Sequence, residues 1–185
     1  MRVITGIYKG RHFEVPRTFK ARPTTDFAKE NLFNVLQGYI DLEDCMALDL
    51  FSGTGSITLE LLSRGCKEVV SVEKDRDHAY FIRQCVEKLD IAAESQTHRL
   101  IRGDVFKYLK SCRQQYRFIF ADPPYSMDGI DTIPCMALPL LEPDGLLVVE
   151  HGKQNDFSHH PQFIDHRQYG SVNFSIYRNE KAAEE

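Results

Sequence analysis

The sequence lacks several features, and each absence excludes a class of protein. No apolar run approaches the roughly 18 residues that a membrane-spanning helix needs, so no membrane contact is expected. The first residues read as a strand rather than as the apolar core of a signal peptide. The five cysteines form no Cys-x-x-Cys pair, which disfavours both a disulfide framework and a zinc site. We therefore expect a cytoplasmic protein that holds no metal.

Acidic residues outnumber basic ones, but the basic residues are unevenly distributed. The formal net charge is −4, which by itself disfavours a nucleic-acid partner. Residues 1–31 nevertheless contain seven basic and three acidic residues, whereas the rest of the chain contains 16 basic and 24 acidic residues. A basic arm on an acidic body indicates local contact with a polyanion, although an ordinary solvated surface explains the charge alone equally well.

The amino-terminal part of the chain reads as an extension of a larger domain. Two strand-like runs on either side of Gly10 predict a β-hairpin, and Thr25 or Asp26 can cap the helix that follows. We expect residues 1–43 to form this extension and residues 44–185 to form the main domain. The apolar side chains of the helix are interpreted as packing residues, namely Phe27, Leu32, Phe33 and Leu36.

Beyond residue 44, apolar strands alternate with amphipathic helices. Such alternation is typical of a mostly parallel sheet with helices on both faces. A last pair of strands around Gly170 predicts an antiparallel edge. The predicted strands are 46–51, 68–73, 99–102, 118–121 and 146–150, and the predicted helices are 56–64, 76–89, 105–112 and 130–141.

A glycine-containing turn lies where the first of these strands meets its helix, and it reads Asp49-Leu-Phe-Ser-Gly-Thr-Gly55. Glycines let a ligand approach the main chain, and Glu73 at the end of the next strand can accept hydrogen bonds from both ribose hydroxyls of a nucleoside. A dinucleotide would need a third glycine, where this chain has Thr58. Asp49 suits a cationic ligand better than a pyrophosphate. The pattern therefore favours S-adenosylmethionine (SAM) over NAD, with a turn that binds nothing as the alternative.

Asp104 is a further candidate for this site, because it follows the third strand at the same edge of the sheet. It can accept from an adenine amino group, or it can serve only as the N-cap of the next helix. The predicted cofactor-binding residues are Asp49, Phe51, Gly53, Thr54, Gly55, Glu73, Lys74, Asp104 and Val105.

The most specific motif is Asp122-Pro123-Pro124-Tyr125, directly after the fourth strand. An aromatic amine is a poor nucleophile, and hydrogen-bond acceptors on its two hydrogens favour a pyramidal nitrogen. Asp122 and the carbonyl of Pro123 supply two acceptors, which the prolines preorganise, and Tyr125 can stack on the base. The motif predicts methylation of an exocyclic amine, with a plain strand-ending turn as the alternative. His151, at the end of the fifth strand, is interpreted as a satisfied polar residue.

Together these segments resemble the RsmD-type 16S rRNA guanine-N2 methyltransferases. The resemblance is carried by residues 2–11, 22–26, 32–34, 49–55, 63–65, 122–125 and 167–170. It implies a class I methyltransferase fold, which is Rossmann-like, with an amino-terminal hairpin and SAM as the cofactor. It further implies that the substrate is a guanine of 16S rRNA in a 30S subunit or its assembly intermediate.

The resemblance also assigns residues to the substrate. Asp122, Pro123, Pro124 and Tyr125 would form the base-amino site, and Arg22, Thr24 and Thr25 would border the target base. With the basic arm included, the predicted RNA-binding residues are Arg2, Lys9, Arg11, Arg22, Thr24 and Thr25. The chain has Phe27 where arginine is expected in many members, which removes one possible phosphate contact.

Three other functions remain open from the residues alone. A DNA or other RNA methyltransferase acting on adenine N6 or cytosine N4 would use the same Asp-Pro-Pro-Tyr motif. An NAD-dependent oxidoreductase would use Glu73 but leaves residues 122–125 unexplained. A catalytically inactive RNA-binding assembly factor would keep the basic arm without needing the acceptor pair.

Overall fold

The computed structural model describes residues 1–19, 24–91 and 95–180. These residues form five α-helices and seven strands, with short 3-10 turns on either side of the last helix. The helices are α1 (Asp26–Leu36), α2 (Ser56–Ser63), α3 (Arg76–Leu89), α4 (Val105–Ser111) and α5 (Ile133–Ala137). The strands are β1 (Met46–Leu50), β2 (Glu68–Glu73), β3 (Thr97–Arg102), β4 (Tyr116–Ala121), β5 (Leu141–His151), β6 (Phe163–Tyr169) and β7 (Val172–Arg178).

All the strands belong to one sheet, in the order β3-β2-β1-β4-β5-β7-β6. Strands β1 to β5 pair in parallel, and β7 pairs antiparallel with both β5 and β6. The first strand, β1, lies inside the sheet; the chain continues outward through β2 to β3 and then crosses to β4 on the other side of β1. Open α/β sheets bind their ligands at such a switch point, here between β1 and β4. The predicted mostly parallel sheet with an antiparallel edge is confirmed.

Alternating side chains of the strands build a core on each face of the sheet. In β4, Phe118 and Phe120 pack on the side of α1, α2 and α3, whereas Ile119 and Ala121 pack on the side of α4 and α5. Both faces are therefore covered by helices, as the apolar runs of parallel strands require. None of the helices in the described ranges is both long and apolar enough to cross a membrane.

Two elements of the main domain differ clearly from their predicted bounds. The helix predicted over 130–141 is broken, and only Ile133–Ala137 is α-helical, because Pro134 and Pro139 each remove a backbone donor. Strand β5 begins at Leu141 rather than at Leu146. The intervening residues were missed because their Pro-Asp-Gly sequence reads as a turn; the register does shift there, and Asp144 has φ 60°.

The amino-terminal ribbon, residues 1–15, is antiparallel but less regular than the predicted hairpin. Its one bridge joins Arg2 and His12, and residues 5–10 are turns and bends. The ribbon docks on α2: the Ile7 amide donates to the Ser63 carbonyl at 2.8 Å, and a Cβ on Gly6 would lie 1.8 Å from the same oxygen. Only glycine fits at that contact, where φ is +89°.

A buried ion cluster joins the ribbon, α1 and α2. The carboxylate of Glu60 accepts from the amides of Ile4 at 2.8 Å and Thr5 at 3.1 Å, and from Arg64 Nε at 3.0 Å. Lys29 Nζ lies 3.7 Å from Glu60 and donates to the Arg2 carbonyl at 2.6 Å. Both Lys29 and Glu60 are fully buried. Lys29 is therefore one basic residue of the arm that cannot reach RNA.

Candidate functional site

A large cleft, of about 1130 Å³, opens at the carboxyl ends of the parallel strands. Its lining includes residues at or next to the carboxyl ends of β1 to β5, so the glycine turn and the Asp-Pro-Pro-Tyr motif face the same space. Of the predicted site residues, those that line the cleft are Thr24, Thr25, Asp49, Phe51, Gly53, Thr54, Glu73, Lys74, Asp104, Val105, Asp122, Pro123, Pro124 and Tyr125.

Glu73 is held in place by backbone donors from the loops on either side of it. The amide of Gly53 donates to its Oε2 at 2.7 Å, and the amide of Asp75 donates to its Oε1 at 2.7 Å. A carboxylate has about four acceptor sites, so acceptor capacity remains for a ligand in the cleft. Gly53 makes its contact with φ +54°, in the left-handed region that glycine tolerates.

Asp49 is a buried acid without a positive partner among the described residues. Its side chain accepts a hydrogen bond from the Thr58 hydroxyl at 2.6 Å, and only 1% of the residue is exposed. Burial is the main cause that raises the pKa of Asp49 to about 7. A cationic ligand beside it would lower that pKa and stabilise the charged form. The predicted preference for a cationic cofactor thus fits the structure.

Thr58, which replaces the third glycine of a dinucleotide site, orients Asp49. Its hydroxyl also lies 2.6 Å from Ser71 Oγ, which in turn contacts His98 Nε2 at 2.9 Å. Burial lowers the pKa of His98 to about 4, so the imidazole at the end of this chain is neutral at physiological pH. Sequence reasoning used Thr58 only to exclude NAD and missed this supporting role.

Two predicted cofactor residues have structural roles as well. Gly55 does not line the cleft; it precedes α2 with φ 78°, and a Cβ there would lie 2.9 Å from Ile82. Asp104 caps α4 by accepting from the Lys107 amide at 3.1 Å, which is one of the two roles that the sequence allowed, and it also lines the cleft.

The acceptor motif lies at the end of β4, beside the predicted cofactor residues. Asp122 is partly buried, and burial together with the nearby carboxylates of Glu150 and Asp49 raises its pKa well above the usual value. Tyr125 is 37% exposed, and its hydroxyl donates to Glu150 Oε1 at 2.9 Å. The ring therefore borders the cleft while its hydroxyl is anchored.

Glu150 lines the cleft but was not among the predicted site residues. Only 5% of its surface is exposed, and it also accepts from the Thr24 hydroxyl at 3.3 Å. Its neighbour His151 is buried, with its ring nitrogens 2.9 Å from the Gly152 carbonyl and 2.8 Å from Ser175 Oγ. The interpretation of His151 as a satisfied polar residue is confirmed. The feature of the sequence that could have identified Glu150 is its position directly before His151, at the end of the strand that pairs with β4.

The basic residues of the arm that the structure describes lie outside this cleft. Arg2 Nε is 3.3 Å from Asp26, and Arg11 Nη2 donates to the Lys88 carbonyl at 2.7 Å, whereas Arg22 lies outside the described residues. Lys9 is exposed at the turn of the ribbon. In the parts of the chain that the structure covers, no cluster of His, Cys, Asp or Glu is arranged to hold a metal ion.

The start of α1 presents a side chain that was expected in the core. Leu32, Phe33 and Leu36 are buried as predicted, but Phe27 is 66% exposed, so its interpretation as a packing residue is wrong. The centroid of its ring lies 6.2 Å from that of Tyr169, and the two rings are nearly perpendicular. Apolar residues of α1 lie in two stripes at helical spacing, one with Phe27 and one with Leu32 and Leu36. The stripe with Leu32 and Leu36 packs on the sheet, which leaves Phe27 exposed.

Comparison with known proteins shows likeness over nearly the whole chain. The family model described as Conserved hypothetical protein 95 matches residues 1–178. The chain is 32% identical to the putative rRNA methyltransferase YlbH of Bacillus subtilis, over 83% of this chain and 84% of that protein. It is 30% identical to ribosomal RNA small subunit methyltransferase D of Haemophilus influenzae, over 97% and 94% of the two chains. The solved structure of the putative methyltransferase yhhF from Escherichia coli superposes with a TM-score of 0.83 at 26% identity, covering 97% and 98%.

Proposed function

Because the chain belongs to the RsmD family, whose model is the one described as conserved hypothetical protein 95, we propose that it methylates ribosomal RNA with SAM as the methyl donor. The two curated relatives, an rRNA methyltransferase and a small-subunit rRNA methyltransferase, support this substrate. The finer proposal is that the acceptor is the N2 amino group of a guanine in 16S rRNA, within a 30S subunit or its assembly intermediate. The observation that carries the proposal is one cleft lined by three acidic residues with different roles. They are Asp122 of the acceptor motif, the buried Asp49, which favours a cationic ligand, and Glu73, whose carboxylate is held by two backbone amides.

The residues of the cleft fit SAM. Bound SAM supplies a methyl group on a positively charged sulfur that leaves as a neutral thioether. Glu73 would accept from the ribose hydroxyls, and Asp49 would compensate the ammonium group, whose positive charge would lower the raised pKa of this buried acid and keep it ionised. The loop over Gly53 and Thr54 would bring the main chain close to the ligand, and Asp104 with Val105 would border the adenine.

The acceptor half of the cleft prepares the amine. A cationic ligand in the cleft would lower the raised pKa of Asp122 and favour its carboxylate form. The Asp122 carboxylate and the Pro123 carbonyl would then accept the two amino hydrogens, so that the nitrogen lone pair is directed away from the ring plane. The amine nitrogen would become positively charged as it takes up the methyl group, and the Asp122 carboxylate would stabilise that charge. The proton then leaves to the Asp122 carboxylate or to water. Positioning and electrostatics contribute the rate enhancement, and no covalent intermediate on the protein is needed.

Transfer of a labelled methyl group from SAM to purified RNA tests this function. We expect incorporation into 16S rRNA or 30S particles, and none into 23S rRNA, 50S particles or duplex DNA. Calorimetry should show binding of SAM and not of NAD, and Glu73→Ala should weaken SAM binding. Each lost hydrogen bond to a ribose hydroxyl is expected to cost about 1 kcal/mol or more, so the loss should be at least tenfold. Labelling of DNA alone, binding of NAD, or no transfer to any RNA would each contradict the proposal.

The basic arm is proposed as an RNA contact separate from the cleft. Replacing Lys9 and Arg11 by alanine should weaken RNA binding and reduce the salt dependence of the affinity by about one to two units of slope. SAM binding should be unchanged, since neither residue lines the cleft. Lys67→Ala, at an exposed position directly before β2 and outside the arm in sequence, serves as the matched control. Equal losses of RNA and SAM affinity in the arm variant would show that the arm is only structural.

A further inference from the structure

The ends of β4 and β5 place two carboxylates side by side. The register pairs Ala121 with Val149, so the next residues on the two strands, Asp122 and Glu150, are neighbours on the same face of the sheet. Both line the cleft. The methyl-transfer mechanism above uses Asp122 as an acceptor for the amine but gives Glu150 no task.

Glu150 is held as a hydrogen-bond acceptor by two separate segments. The Tyr125 hydroxyl donates to its Oε1 at 2.9 Å, and the Thr24 hydroxyl donates to its Oε2 at 3.3 Å. Donors on both oxygens favour the ionised carboxylate, and each oxygen retains capacity for a further donor. Burial opposes this by raising the pKa of Glu150, and a donor from a ligand would compensate for that burial.

Two adjacent acceptors discriminate among nucleobases. On the Watson–Crick edge of guanine, the N1–H donor stands beside the N2 amino group, so three donor hydrogens point outward. Adenine presents its amino group beside the N1 lone pair, and cytosine presents its amino group beside the N3 lone pair. A carboxylate beside Asp122 would therefore attract guanine and repel the other two amines, because an unpaired acceptor facing a lone pair is costly when buried.

We propose that Glu150 is the specificity-determining residue of the cleft, and that its carboxylate accepts the N1–H of the target guanine while Asp122 and the Pro123 carbonyl accept the hydrogens of N2. This inference rests on the proposed function, since it names the feature of the same cleft that selects the base. It assigns Tyr125 and Thr24 the role of positioning Glu150.

An RNA with 2-aminopurine at the methylated position tests the proposal. This base keeps the 2-amino group but carries a lone pair at N1 in place of the N1–H, and it lacks O6. The wild-type protein should prefer guanine over 2-aminopurine by about 100-fold or more in kcat/KM. In Glu150→Gln, the amide can donate to the N1 lone pair, and the Thr24 hydroxyl can accept from the same amide. The preference should then shrink at least tenfold.

Comparing the guanine-to-2-aminopurine preference of the wild type with that of Glu150→Gln isolates the contact at N1, because the loss of O6 affects both proteins equally. Glu68→Gln, an equally conservative change at the opposite end of the sheet, should keep the wild-type preference. SAM affinity and the melting temperature show that the variants are folded. If Glu150→Gln lowers transfer to both bases equally, or leaves the preference unchanged, the inference is wrong. If the wild-type protein labels no guanine at all, the proposed function fails instead, whatever the variants do.

Discussion

Replacing Asp122 by alanine is expected to lower kcat for methyl transfer by about 10²–10³-fold. The variant removes one of the two preorganised acceptors of the amine and the negative charge that stabilises the developing ammonium. SAM affinity should change little, because Asp49 and Glu73, on other strands, hold the cofactor in this account. Single-turnover transfer to RNA, with SAM binding followed by calorimetry, measures both quantities.

Asp122→Asn is the matched comparison, because it keeps a neutral oxygen acceptor and the size of the side chain. We expect it to retain more activity than the alanine variant. Because the pKa of Asp122 is raised, the pH dependence of the melting temperature provides a second measurement on these variants. The folded protein holds this proton at pH values where the unfolded chain has lost it, so wild-type stability falls as pH rises through the raised pKa. The asparagine variant has no carboxyl group at this position, so it does not lose this stability. As the pH rises, its melting temperature should therefore increase relative to that of the wild type. Normal turnover in Asp122→Ala would contradict the role given to this residue.

Replacing Glu60 by alanine is expected to produce the largest loss of stability. The change leaves Lys29 buried without its carboxylate and removes the acceptor for the Ile4 and Thr5 amides. Breaking one partner of a buried ion pair costs about 3–5 kcal/mol. For a chain of this size that corresponds to a fall of roughly 10 °C in melting temperature. Thermal unfolding followed by circular dichroism measures it.

Lys29→Met is the control for this cluster. Glu60 then keeps the two backbone donors and Arg64, so the loss should be clearly smaller than in Glu60→Ala. Limited proteolysis should cut residues 1–19 faster in the Glu60 variant, because the ribbon loses its attachment to α2. A loss below about 1 kcal/mol in Glu60→Ala would show that the ribbon is held by its apolar contacts alone.

The parts of the site that were predictable from sequence are those that lie within one local segment. The turn around Gly53 and the motif at Asp122 each follow an apolar strand, and Glu73 ends the next strand after the turn. Because the carboxyl ends of parallel strands share one edge, these positions predict a common cleft without any knowledge of the register.

The residues that were missed depend on contacts between distant segments. Glu150 joins the site through the register of β4 with β5, and the irregular stretch at residues 142–145 hides where β5 starts. Glu60 meets Ile4 across 56 positions of the chain. The exposed Phe27 shows the same limit on a helix, since two apolar stripes compete and only packing on the sheet selects the buried one.

Mass spectrometry of the ribosomal RNA nucleosides from cells that lack this protein tests the central claim most directly. We predict that one N2-methylguanosine disappears from 16S rRNA, that 23S rRNA is unchanged, and that the wild-type gene restores the modification while the Asp122→Ala gene does not. An unchanged set of N2-methylguanosines in 16S rRNA, or loss of a methyl group from another base, would contradict the account.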